Sequence, residues 1–190
     1  MSKYGHREHN WFEAIVNRLG GEEAAESFLR GELEVKEVEA FFRVTGKLSI
    51  TIPALPRPTL GELQSRYGWM RSVDDSSTTE EATLVLGTVL RSGEDSIGDV
   101  VEYERRLAPL AGKLLGFQHA EWLVANQDRF PKLAKVLGKV YIDFPGIFAV
   151  DGGDDRSVPC LELHDERVCL HWPRPGGDDV RSGDRVASSK

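Results

Sequence analysis

The chain has 190 residues, 40% of them apolar, and a formal net charge of −7 from 31 acidic and 24 basic side chains. That supplies enough apolar material for one domain with a buried core, and too little positive field for a general nucleic-acid binder. Two cysteines do not make a disulfide scaffold, no run reaches the roughly 20 apolar residues of a membrane span, and the first residues lack a signal-peptide core, so a cytoplasmic protein is expected.

Residues 1–9 are polar and read as a flexible terminus. Asn10 can cap a helix carrying Trp11, Phe12, Ile15, Val16 and Leu19 on one face, stopped by Gly20 and Gly21. A second helix follows from about Glu22 to Arg30 and ends at Gly31, so the two form a helical hairpin. Leu48, Ile50 and Ile52 alternate with Lys47, Ser49 and Thr51, the period of a half-buried strand over 41–52. Thr45-Gly46-Lys47 can break that strand into a hairpin. Pro53, Pro56 and Pro58 then forbid ladder pairing and mark a stiff connector, with a possible sub-boundary at 53–58.

Thr59 caps a helix from Leu60 to about Tyr67, with Glu62 in its first turn. Residues Asp74 to Thr79 read as an exposed loop. Ala82 to Leu90 fits a capped helix or a central strand; its β-branched residues and apolar character on both sides favour strand. Asp95 to Leu107 reads as a helix, with Val100, Tyr103, Leu107, Leu110 and Leu114 in one stripe and Pro109 kinking it or starting another. Helices are expected over Gln118–Asn126 and, capped by Asp128, through Leu137. Strands are expected over 140–144, 147–150, 158–164 and 167–172, the last two as a hairpin around Asp165-Glu166.

Residues 173–190 are Pro, Gly, Asp, Arg and Ser with almost nothing apolar, so a disordered tail is expected. The fold class is therefore α+β: an N-terminal helical hairpin, a mixed β/α middle, and helices packed on a C-terminal antiparallel meander, with 10–172 as a single domain.

The hairpin carries the most specific candidate site. Pairing Leu163 with Val168 places Cys160, Glu162, His164, Arg167, Cys169 and His171 on one face. Cys160, Cys169 and His171, with His164 or Glu162 as fourth ligand, have the donor chemistry of a zinc site. The competing reading is structural: there is no C-x-x-C knuckle, strand pitch separates the donors, and cysteine packs as a small apolar residue. A Cys160–Cys169 disulfide is disfavoured by their diagonal placement.

Four further features each have an ordinary explanation. His6 and His9 could grip a metal if helical, but lie in the polar terminus. His119 and Glu121 could act as acid and base, but neighbours two apart on a helix do not face each other. Asp151, Asp154 and Asp155 could hold calcium or magnesium, yet Gly152-Gly153 between strands is turn chemistry. The Pro53–Pro58 run could present a polyproline ligand, though a linker explains it as well. Trp11, Trp69, Trp122 and Trp172 are too scattered for a stacking platform and read as core or core-edge residues. No P-loop, Rossmann or nucleophile-elbow motif occurs.

Trp11-Phe-Glu-Ala-Ile-Val-Asn-Arg-Leu-Gly-Gly-Glu22, continuing through Ser27-Phe-Leu-Arg-Gly-Glu-Leu-Glu-Val35, resembles the start of a group of small uncharacterised bacterial proteins of candidate-phyla, Patescibacteria-like genomes. Gly138-Lys-Val-Tyr-Ile-Asp-Phe-Pro-Gly146, Val158-Pro-Cys-Leu161 and Trp172 resemble the other end of that group. The resemblance implies a bacterial cytoplasmic origin and transfers no catalytic residue. With no acid–base, nucleophile or phosphate-binding constellation, the expected function is a non-enzymatic binding or accessory protein with another protein as partner. The alternatives are a zinc-binding module or metalloenzyme using the hairpin and an enzyme whose site is assembled from distant residues such as His119.

Overall fold

The computed structural model describes Glu26, Arg30 and residues 43–91, 94, 96–173, 180–181 and 185–189. The chain divides into two units, residues 1–39 and 40–190, so the boundary lies before the first strand rather than at 53–58. In the first unit the Arg30 N–H donates to the Glu26 carbonyl at 2.9 Å, a helical-turn contact. The flexible terminus and helical hairpin expected there lie outside the described residues.

In the second unit, β1 (Arg43–Ile52) is one continuous strand. Gly46 does not turn the chain: the register against β3 (Ala82–Thr88) slips between Val44 and Gly46, an irregularity of the bulge type. The prolines follow as an extended connector that is held down, the Leu55 N–H donating to the Thr79 carbonyl at 3.1 Å. Helix α1 (Leu60–Arg66) starts on a complete capping box: Thr59 Oγ1 accepts from the Glu62 N–H, and Glu62 reaches back to the Thr59 N–H at 2.7 Å.

The 74–79 segment meets the loop expectation only in part: residues 76–79 form a loop, and Asp74, Ser76 and Thr79 are exposed. Ser72–Asp75 is a strand, β2, and Ser77 is fully buried. The helix expected from Asp95 is shorter. Ser96–Ile97 forms β4, and α2 (Val100–Leu107) begins only where the Asp99 side chain accepts from the Val101 N–H. Pro109 sits in a 3₁₀ turn, Ala108–Leu110, that closes α2. Two helices follow, α3 (Phe117–Ala125) and α4 (Pro131–Leu137). Asp128 does not cap α4, because Gln127–Arg129 form a 3₁₀ turn and Pro131 opens the helix instead.

The remaining strands are β5 (Ile142–Asp143), β6 (Ile147–Val150), β7 (Arg156–Ser157), β8 (Cys160–His164), β9 (Arg167–His171), β10 (Val180–Arg181) and β11 (Arg185–Ser189). They do not form one meander. The main sheet has six strands in the order β1-β3-β11-β5-β8-β9, while β6 leaves it to join β2 and β7. Every pairing in the main sheet is antiparallel except β11 with β5. The architecture is α+β with mixed sheets.

The tail expectation is also corrected. β10 pairs with β4, and β11 lies inside the main sheet between β3 and β5. Residues 174–179, 182–184 and 190 lie outside the described residues.

The centre of the main sheet, at β3 and β11, is covered on both faces. Leu84 and Leu86 of β3 and Ala187 of β11 pack with Leu123, Leu133 and Leu137 of α3 and α4. On the opposite side Val186 packs with Tyr103 and Leu107 of α2 and with Phe148 of β6. This explains why β3 is buried at every position but Thr83: a central strand covered on both faces has little polar side to show. Buried polar groups around α2 are paired. The Tyr103 hydroxyl donates to Asp143 Oδ2 at 3.1 Å. Arg106, only 4% exposed, bonds Glu94, Glu102 and the Val89 carbonyl. Hydrogen bonds from Arg105 and then Arg106 hold the Glu102 carboxyl down to about 2.

Among the described residues, no helix is long and apolar enough to cross a membrane.

Candidate functional site

The β8–β9 hairpin has the expected register: Leu163 opposes Val168, Glu162 opposes Cys169, and Cys160 opposes His171. Leu161, Leu163, Val168 and Leu170 accordingly pack on the core under α3 and α4. The opposite face does not gather into a metal site. Cys160 is buried, its thiol directed to its neighbour's carbonyl, Leu161 O, at 3.7 Å. His171 Nε2 lies 3.7 Å from Glu162, and His164 faces Asp165 at 3.4 Å. Same-face positions along a strand are about 7 Å apart, whereas zinc needs four donors at about 2.0–2.3 Å. Among the described residues, no three His, Cys, Asp or Glu side chains come together to hold a metal. Cys160 and Cys169 are free thiols.

The other sequence candidates are dispersed as well. Asp151 Oδ1 accepts from the N–H groups of Gly153 and Asp155, at 2.8 and 3.1 Å, and Asp154 pairs with Arg71. That is a turn with satisfied carboxylates. Glu121 pairs with Arg66 on the surface, whereas His119 is fully buried, so they share no site. His6 and His9 lie outside the described residues. The tryptophans are less scattered than the chain suggests. Trp172 stacks on Phe117 at 5.7 Å and meets Trp69 edge-on at 6.1 Å, at the margin of the core that holds Leu63 and Ile147.

Two features could not be read from spacing. The first is a buried polar node. The Ser77 hydroxyl donates to Asp75 Oδ1 at 2.6 Å and accepts from Gln118 Nε2 at 2.8 Å. Arg57, from the proline connector, donates its Nε to the Ser77 carbonyl at 2.9 Å and stands 3.5 Å from Asp75 Oδ1. Ser77 is wedged between two glycines: a Cβ at Gly116 or at Gly146 would come within 2.7 Å of the Ser77 Cβ. Nearby, His119 Nδ1 accepts from the Gly116 N–H at 3.0 Å at the start of α3. Burial drives the His119 pKa down to about 4.

This node is not a nucleophile–base pair. The serine proton goes to a carboxylate, and the imidazole is engaged with backbone and held neutral near pH 7. Asp75 Oδ2, Gln118 Oε1 and His119 Nε2 are buried without a hydrogen-bond partner among the described residues. The node ties β2, the proline connector and α3 together.

The second feature is a cleft between α4 and the main sheet, with a volume of about 310 Å³. Its apolar lining is Leu48 of β1, Leu86 of β3, and Val136 and Val140 at the end of α4. Thr45, Lys135, Lys139 and Arg185 complete it. Leu48 and Leu86 are core residues, so the apolar lining is continuous with the hydrophobic interior. Lys135 is exposed in the last turn of α4, and Lys139 is exposed in the turn that follows Gly138. Sequence periodicity assigned no role to these positions, because β1, β3, β11 and α4 come from widely separated stretches. The remaining signal, two lysines four positions apart at the end of a short helix, is common on solvated surfaces.

Comparison of this chain with protein-family models, with curated proteins and with solved structures finds no match.

Proposed function

We propose that the 40–190 unit is a non-enzymatic binding module whose ligand seat is the cleft formed by Leu48, Leu86, Val136 and Val140. The observation that carries this reading is the cleft itself: a concave apolar lining of about 310 Å³, continuous with the core and bordered by a few polar groups. That is the usual build of a small-molecule site, at the small end of the size range. The Ser77 hydroxyl donates to a carboxylate and the His119 imidazole is held neutral by burial, which favours binding over nucleophile–base chemistry at that node. The concavity favours a small ligand over the flat face of another protein.

Methyl-resolved NMR of the full chain with small neutral probes, cyclohexanol and benzyl alcohol, tests the location. Shifts should concentrate on the methyls of Leu48, Leu86, Val136 and Val140, and Val136→Trp, which fills the cleft, should abolish them. Perturbations centred instead on the Phe117–Trp172 cluster or the hairpin would move the site elsewhere.

A further inference from the structure

We infer that the cleft takes an aliphatic carboxylate, its chain on the leucine and valine lining and its head between Lys135 and Lys139; this rests on the binding-module reading above. Three observations lead there. The first is the character of the lining. Its apolar members are all branched aliphatics, and no aromatic ring is among them. A nucleobase or other planar ring would find nothing to stack on, whereas a flexible hydrocarbon chain would be in contact throughout.

The second is charge. Every ionisable residue lining the cleft is basic (Lys135, Lys139 and Arg185), in a chain whose net charge is −7. A cationic cluster that runs against the overall charge is a local feature, and it selects for an anion. The third is the state of the two lysines. Among the described residues, neither Lys135 nor Lys139 has a carboxylate within 4.0 Å, in contrast to the arginines of α2 with Glu102 and Glu94. Two like charges bordering one cleft repel, and a carboxylate seated between them offsets that repulsion. The cleft volume, about 310 Å³, suits a chain of medium length.

Octanoate, octanol and octylammonium share one tail and differ in head charge. Titrated into the full chain and followed by calorimetry and methyl NMR, octanoate should bind at least tenfold more tightly than octanol, with octylammonium weakest. All shifts should map to Leu48, Leu86, Val136 and Val140. The double variant Lys135→Glu/Lys139→Glu, at two exposed positions that leave the core intact, should erase the octanoate advantage without lowering Tm. If octanol and octanoate bind equally at these methyls, the cleft stands and the carboxylate assignment is overturned. If none of the three perturbs the cleft methyls, the cleft is not a ligand seat and both readings fall together.

Discussion

The hairpin β8–β9 and the strand β11 lie in the same sheet, each five residues per strand, yet one was readable and the other was not. The hairpin's partner is adjacent in the chain. Alternation of Leu161, Leu163, Val168 and Leu170, with a two-residue turn between, sets its register without reference to anything else. β11 pairs with Leu84–Gly87 about a hundred residues earlier and with Ile142–Asp143. Its sequence, Arg-Val-Ala-Ser-Ser, has only small residues after Arg185 and Val186, as suits a strand covered on both faces, and the polar segment around it conceals it from any averaged composition. Strand signals in sequence are signals of side-chain pattern. A strand selected for backbone pairing and small volume carries little of one.

This contrast can be tested at three strengths. Stopping the chain after Asp184 removes β11. Val186, Ala187 and Ser188 are each at most 3% exposed, and their loss opens both apolar faces and two strand edges at the centre of the sheet. The 40–190 unit should lose its cooperative unfolding transition in thermal circular dichroism, the outcome expected when removal of a central strand exceeds a typical margin of about 5–15 kcal/mol. A truncated chain melting at the full-length Tm would restore the tail to a dispensable appendage.

The next test concerns a residue whose helix was read locally and whose titration was set by packing. His119 has a folded pKa near 4, below its unfolded value of about 6.5. The unfolded chain therefore binds the proton first. His119 contributes full stability above pH 6.5, and that contribution falls as pH drops toward 4. The loss between pH 7.5 and 4 should be on the order of 3 kcal/mol, and His119→Gln should remove it. Urea denaturation across that range measures it; parallel pH profiles for the two proteins would show that the imidazole is not excluded from water.

The smallest effect belongs to the local element. Asp165 and Glu166 both have positive φ, 47° and 66°. These are the angles of a two-residue hairpin turn that favours Asn-Gly. Glu166→Gly should relieve left-handed strain and stabilise by about 1 kcal/mol, raising Tm by a few degrees in calorimetry. An unchanged or lower Tm would mean that the turn is held by its strands rather than by its own residues.

The candidate cleft was legible only in part. The i, i+4 lysines and the alternation of Leu48 are visible in the chain, but nothing local brings β1 and β3 beside the end of α4. The burial of Ser77 within a largely exposed loop was not legible. Asp74 to Thr79 is polar, and polarity usually marks a loop in water. Here Ser77 is buried because Asp75, Gln118 and Arg57 satisfy it and Gly116 and Gly146 leave it room. At the hairpin the register is the one expected, yet among the described residues no three of its donor side chains come together.

Local sequence alone determined the α+β class, the capped helix at Thr59, the choice of strand for Ala82–Thr88, and the hairpin with its register. These depend on side-chain period, capping and turn chemistry acting over fewer than about fifteen residues. Tertiary structure decided the order of strands in the sheet, the recruitment of Arg185–Ser189 to its centre, the burial of Ser77 and His119, and the cleft beside Lys135 and Lys139. Each depends on which distant surface a segment meets, and the free energy of that meeting comes from area and backbone pairing that no single stretch of chain contains.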